Sequence, residues 1–512
     1  MKKRSHRLIK LLIVVVIVGA GWVLLDWGHK GPPTLSRETT VVEDEKYTLN
    51  TGYVDYYQVF NDQRFAKIDP RNNGAVWLLA AVGPDPSFDF DKYWQLVAGD
   101  SLPRPEDPFL IGFQEFTETD LDPSTDPVEL LDRALEKTWT ADEFPHVQNW
   151  LEANAKPLEH ALQAARADQF CLPLYNEDPK ADLLTALLPY SQVCRHLAQL
   201  MVAKALHQLG QGQIDAGQDL LLDARRLGQH VGLNGTLVEY LVGVSIEYLV
   251  WEAEQVMLKQ PALTSASIQR YLDGLDAIPE PQGIAGLIDT GSRLMGLSAA
   301  QSLHRGEVTN PLQAETPFRI PGLDIDVLMK RLNQEYDQLV EIMEIDDHVQ
   351  RHQALEEWAV DMKARADAIP SSRWLLALFT RSGRSEMASE ILVSMLMPAL
   401  GKIDDAHLTW LVQRRMIRIA CELERKFLDQ GQYPASLDPL ADALADRDAH
   451  WNRDPFSGEL LTYRQREYGY QLYSVGRNRA DNQGTTSEFY PEEDDIVIER
   501  QRNPAEEPPA PD

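Results

Sequence analysis

Five oxygen-bearing side chains lie in one C-terminal stretch, Asp481, Asn482, Glu488, Asp494 and Asp495. Hard carboxylate and amide oxygens are what a calcium ion takes, about six to eight of them at a time. Asp481, Asn482, Asp494 and Asp495 are therefore read as the calcium ligands, although their spacing matches no EF-hand loop and a solvated acidic loop is the competing reading. A second constellation is DDHVQRH, in which His348 and His352 stand four residues apart and would share one helix face, with Asp347 and Glu356 nearby. Zinc hydrolases present two histidines in this way. Here Val349 stands where such an enzyme has its glutamate, and no third ligand can be named, so two exposed histidines on a charged helix are expected.

Other chemistry has less to build on. Ser457 in PFSG and Ser474 in YSVG follow no G-x-S-x-G pattern and are read as turn residues. No Gly-rich phosphate loop occurs, which removes the common nucleotide-binding motifs. The 3 cysteines, Cys171, Cys194 and Cys421, lack C-x-x-C spacing and are too few for a disulfide scaffold. One bridge between Cys171 and Cys194 is conceivable, and buried free thiols are the expectation. The 11 tryptophans are scattered and are read as packing anchors.

The elements that would position these residues are helical for most of the 512-residue chain, whose 44% hydrophobic and 25% charged residues are those of a globular protein. Lys2, Lys3, Arg4, Arg7 and Lys10 precede an uncharged run from Leu11 to Leu25. Counted as residues 8–25, with Lys10 snorkelling, this is about 18 residues, the lower limit for crossing ~30 Å of hydrocarbon. Basic charge before it and Trp22 and Trp27 near its far end predict an uncleaved single-pass anchor in the cytoplasmic (inner) membrane. The N-terminus would be cytoplasmic and the body periplasmic or otherwise extracytoplasmic. The formal net charge is −30 for the whole chain, and the body beyond the basic tip and anchor is more acidic still, which predicts repulsion from nucleic acid.

Residues 1–30 thus form the basic tip and anchor, and 31–43 a polar, proline-containing tether. Residues 44–170 form an N-terminal helical region. Within it, Tyr53, Tyr56, Tyr57 and Phe60, then Ala75, Leu78 and Leu79, predict two mutually packed helices around Asp69-Pro70, and Pro157 is expected to kink or divide a helix over 144–165. Residues 171–405 read as an irregular array of helical hairpins. The clearest is near Gly210, where Leu206 and Leu209 precede a Gly-Gln-Gly turn and Ile214, Leu220, Leu221 and Ala224 follow it. That unit resembles a tetratricopeptide hairpin, but no copy recurs at that family's period. A loop is expected over 306–322, one or two helices over 323–368, and an apolar helix ending near Pro398.

From 406 to 500 the pattern becomes a small α+β module, with a helix closed by Gly431 and Pro434 and a hairpin turning near Arg466. Residues 501–512 are read as a disordered tail. GQYPASLDPL (431–440), DPFSGELLTYR (454–464), YGYQLYSVGRNRADNQG (468–484) and DDIVI (494–498) resemble the C-terminal module of major pseudopilins of type II secretion systems. Such modules also end large membrane-anchored proteins of planctomycete type, which the middle of the chain is similar to through WLEANAKPLEHALQAA. The resemblance implies a long helix on a small antiparallel sheet, with calcium held in the loop before the last Asp-Ile pair. The chain departs from the family in the roughly 400 residues ahead of the module and in the missing prepilin-peptidase site.

These readings converge on a mainly α protein with a transmembrane helix, a helical-hairpin array and a C-terminal pseudopilin-like α+β module. The expected function is a non-enzymatic, extracytoplasmic protein-binding or scaffold role beside other envelope proteins, associated with a secretion or envelope system. The alternative is an extracytoplasmic metal-dependent hydrolase whose ligands converge only in three dimensions. A third ligand beside His348 or His352 would favour the enzyme, and a groove on the array would favour binding.

Overall fold

A computed structural model of the protein describes residues 31–502 apart from 66–67, 87, 100–101, 119–120, 123, 177–182, 184–188, 281–282, 308, 311–313, 318–321, 368–379, 397–399 and 487–493. The anchor at residues 8–25 lies outside the described residues, as does most of the tail. No described helix is long and apolar enough to cross a membrane.

The fold is mainly helical, with one small three-stranded antiparallel sheet near the C-terminus. Helix α1 (Tyr56–Arg64) starts where the Asp55 side chain accepts from the Gln58 amide, and α2 (Gly74–Val82) where Asn73 accepts from Ala75. The two do not form the expected pair. Tyr56, Tyr57 and Phe60 of α1 enter one core, and Ala75, Leu78 and Leu79 of α2 enter another, packed on a later helix. Helices α3 (Phe90–Ala98), α4 (Phe113–Thr117) and α5 (Pro127–Leu135) follow, then α6 (Pro145–Ala153) and α7 (Ala155–Ala165). The break between the last two is at Asn154. Pro157 sits in the first turn of α7, where its missing N–H leaves no bond unmade. Asn154 is fully buried because its amide holds the backbone of Ile111 in both directions, accepting at 2.8 Å and donating at 3.2 Å.

The array is α8 (Pro189–Gly210), α9 (Ile214–Gly232), α10 (Leu237–Met257) and α11 (Ser265–Asp276). The α8–α9 turn falls at Gly212, whose φ of 75° requires glycine. Thr236 with Glu239 and Thr264 with Ser267 form capping boxes that start α10 and α11. Helices α9 and α10 approach closely because three glycines face each other: a Cβ on Gly243 would lie 2.5 Å from the Gly228 carbonyl oxygen and 2.8 Å from Gly232 Cα. Next come α12 (Arg293–Arg305), entered through a π-helical turn at Ile288–Ser292, and a hairpin of β1 (Thr309–Asn310) with β2 (Ala314–Pro317) inside the segment expected as loop. Helices α13 (Ile325–Met343) and α14 (His348–Asp367) resolve the two-helix option, and α15 (Arg381–Leu396) follows.

Helix α16 runs from Leu400 to Gln430, so the expected boundary at 405/406 falls inside it. It carries the sheet β3 (Thr462–Arg466), β4 (Gly469–Ser474) and β5 (Ile496–Gln501), with β4 central and buried along its length. Leu423, Phe427, Tyr470, Leu472 and Ile498 close this interface, and they belong to the same core as α2, α8 and α9. The second core joins α1, α12, α13 and α14. Tyr240 of α10 and Trp410 of α16 lie in the second core while Val242 and Val412 lie in the first, so α10 and α16 are the wall between the two.

Candidate functional site

The loop after β4 is folded around the four residues read as calcium ligands. It turns through left-handed backbone at Gly476, Arg479, Gln483 and Gly484. Asp494 accepts from the Asn478 amide at 3.2 Å, and Asp495, 1% exposed, accepts from the amides of Gly484 at 2.7 Å and Asn482 at 3.4 Å. Asp481 accepts from the Gln483 amide at 2.7 Å and the Tyr473 hydroxyl at 3.0 Å, and the Asn482 side chain accepts from that of Asn478 at 2.8 Å. Burial raises the Asp495 carboxyl, and the two amides that it accepts from lower it in turn. The carboxylates act as separate staples for backbone N–H groups. Among the described residues they are not gathered into a group of three or more metal-ligating side chains. Glu488 lies outside the described residues.

The serines are structural. Ser474 ends β4, donates to Asp454 at 2.9 Å and accepts from the Gly476 amide at 3.2 Å, with Asp454 also capturing the amides of Phe456 and Val475. Ser457 accepts from the Glu459 amide. Cys171, Cys194 and Cys421 are free and buried, and burial pushes the Cys171 thiol up to about 11.

The histidine pair is where the structure departs most from expectation. Asp347 caps α14 by accepting from the amides of Val349 and Gln350, so His348 and His352 do share a helix face. That face is turned toward α16, with His348 near Arg415 and His352 near Asp404 and Asp405, and both residues are half-buried. The Arg351 guanidinium donates to fully buried Asp404 at 3.0 Å. His352 meets Glu356 at 3.2 Å, and His407 shares a 2.7 Å hydrogen bond with Tyr240. From the loop, Arg479 faces Asp405, Glu356 and Asp404 electrostatically.

Burial controls protonation throughout this seam. It lowers His348 to about 4, with Arg351 and Arg415 adding to the effect, and His407 to about 3, with Arg351 and His348 adding. It raises Asp404 against the pull of Arg351, and Asp405 against that of His352. Polar atoms are left over: Asp404 Oδ2, Asp405 Oδ1, His348 Nδ1, His352 Nδ1 and Arg479 Nε are buried with no hydrogen-bond partner among the described residues. The seam ties α14, α16 and the C-terminal loop together by charge. It holds no nucleophile paired with a base, and no third ligand joins the histidines among the described residues. The metal-dependent hydrolase gains no support from it.

Sequence reading missed Arg351, Asp404, Asp405 and Arg479. One signal was available for Asp404, which sits four residues before Leu408 and eight before Val412, on the apolar stripe of α16. A carboxylate on such a stripe must find a cation.

The surface of the N-terminal helical region carries a cleft of about 710 Å³ between α2, α4 and α8. Leu110, Leu121, Val193 and Tyr190 give it apolar walls, and Asp85, Glu115, Glu118 and Asp122 line it with carboxylates. Comparison of the chain with known protein families, with characterised proteins and with solved structures finds no match.

Proposed function

We propose that this chain is a membrane-anchored, extracytoplasmic scaffold that binds a basic segment of another envelope protein, with its C-terminal module a pseudopilin-like unit associated with a secretion or envelope system. The observation that carries this reading is the 710 Å³ cleft, which offers apolar walls and four carboxylates to one face of the body. A segment with lysine or arginine beside an apolar anchor satisfies both features, and charge of one sign around the cleft steers such a partner to it. The body supports a scaffold role mechanically, because the sheet, α16 and the hairpin array share one core and a load on one is borne by all.

The test is site-specific photo-crosslinking in cells from a reporter amino acid at Val193, with and without the triple reversal Glu115→Lys, Glu118→Lys, Asp122→Lys. The expected result is a discrete adduct with one envelope protein that the reversal abolishes. An adduct indifferent to the reversal, or none, overturns the reading. A periplasmic reporter fused after residue 512 checks the orientation independently.

A further inference from the structure

A second cavity, of about 550 Å³, opens between α2, α3 and α7 and has a different chemistry. Its floor is apolar, built from Val76, Ala80, Leu102 and the buried Trp94. Above the floor stands Trp77, 38% exposed, whereas Trp94, Trp139, Trp150, Trp251 and Trp410 are all buried. An indole left in water forgoes about 2 kcal/mol or more of burial, which a core anchor does not do. Its ring stacks on that of His160, at 5.7 Å with 19° between the planes.

The polar groups at the rim are of both signs. Arg71, Arg104 and Lys156 line the cavity, and their acidic neighbours Asp69, Asp91 and Glu159 stand outside its lining. These ion pairs are exposed and hold their cations weakly. On the same rim Glu106 and Asp107 are exposed and make no hydrogen bond or ion pair among the described residues. An anionic ligand would be drawn by the three cations and repelled by the two carboxylates, and a cationic ligand the reverse. A neutral ring with several hydroxyl groups satisfies both, because each hydroxyl donates to a carboxylate and accepts from a guanidinium or ammonium.

We infer that this cavity is a binding site for a neutral saccharide, with the apolar C–H face of one sugar ring laid on Trp77 and its hydroxyls bonded by Arg71, Arg104 and Lys156 as donors and by Glu106 and Asp107 as acceptors. The volume lies within the roughly 300–1,000 Å³ usual for small-ligand pockets. The inference is independent of the acidic cleft, which lies on another part of the N-terminal region.

The experiment uses the full-length protein in a detergent without a sugar headgroup, titrated calorimetrically with cellotriose, chitotriose and maltotriose, and with 2-naphthoate as an anionic aromatic control. At least one trisaccharide is expected to bind with an affinity that is the same at low and high salt. Trp77→Ala should weaken it by about tenfold or more, and Trp77→Phe by less. Glu106→Gln with Asp107→Asn should also weaken it, and being exposed these positions should leave the melting temperature unchanged, which separates lost contacts from lost fold. The site is not a saccharide site if none of the three sugars binds, if Trp77→Ala binds as well as the parent, or if 2-naphthoate alone binds and salt abolishes it.

Discussion

Two buried charge clusters flank α16 and solve the same problem differently. Between α9, α10 and α11, Arg225 is 1% exposed and bonds two carboxylates, Glu247 and, at 2.7 Å, Glu254, while the Tyr271 hydroxyl donates to Glu254 at 2.5 Å. Burial alone would lower the guanidinium, but Glu247 and Glu254 outweigh it and hold it above its ordinary value. Each headgroup there has a charged partner, even though Arg225 Nε and Glu247 Oε1 make no hydrogen bond among the described residues. The seam between α14, α16 and the loop after β4 has one strong pair, Arg351 with Asp404, and several unmatched polar atoms around it. Within the array, helices joined by short turns bring matched charges together and keep them. Where distant parts of the chain meet, burial pushes Asp404 and Asp405 up and His348 and His407 down, which favours the neutral form of groups that pairing leaves unmatched.

The sharpest way to break the comparison is to remove Arg225. Arg225→Met leaves Glu247 and Glu254 facing each other in a dry interior, and a loss of about 3–5 kcal/mol is expected, read as a large fall in denaturant midpoint at neutral pH. A loss no larger than that of a surface substitution would show that the two carboxylates are protonated and that the pair is not ionic.

Arg351→Met should be milder, about 1–3 kcal/mol at neutral pH, because Asp404 can neutralise itself by taking up a proton. The sign follows from linkage. Asp404 is already raised when folded, and without Arg351 only the smaller pulls of His352 and Arg479 oppose burial, so the folded state binds a proton that the unfolded chain, near 3.9, does not. Stability of the variant relative to the parent should therefore recover as pH falls from neutral toward that unfolded value. A deficit that stays constant or grows over this range sinks the idea that protonation balances the seam.

The smallest effect is expected at the loop. Asp495→Asn removes a charged acceptor from the amides of Gly484 and Asn482, and about 1 kcal/mol should be lost, seen as a fall of about 1 °C in Tm. Calcium should not change the Tm of the parent if the carboxylates serve only as amide staples. A calcium-dependent rise that Asp494→Asn with Asp495→Asn abolishes would instead make the loop an ion site, as the pseudopilin resemblance implies.

Helix positions were legible in the sequence wherever an apolar period of 3.6 ran between turn residues. The α8–α9 hairpin, the stop at Gly431 and the β3–β4 hairpin all follow from contacts between residues close in the chain. Which faces meet was not legible. Tyr56 and Leu78 carry the same kind of signal, yet they serve different cores, because apolar faces are interchangeable partners until the whole chain has packed.

The same limit governed the candidate site. His348 and His352 were identifiable by spacing, and their shared helix face was correct. Their charged surroundings, Arg415 for His348 and Asp404 with Asp405 for His352, come from about 50 to 70 residues further along. Charge type and local period fix what each helix can present, and the sequence by itself determined that much. Only the tertiary structure decided which charge is desolvated against which, because pairing energies in a low-dielectric interior depend on separations of a few ångström that no local pattern encodes.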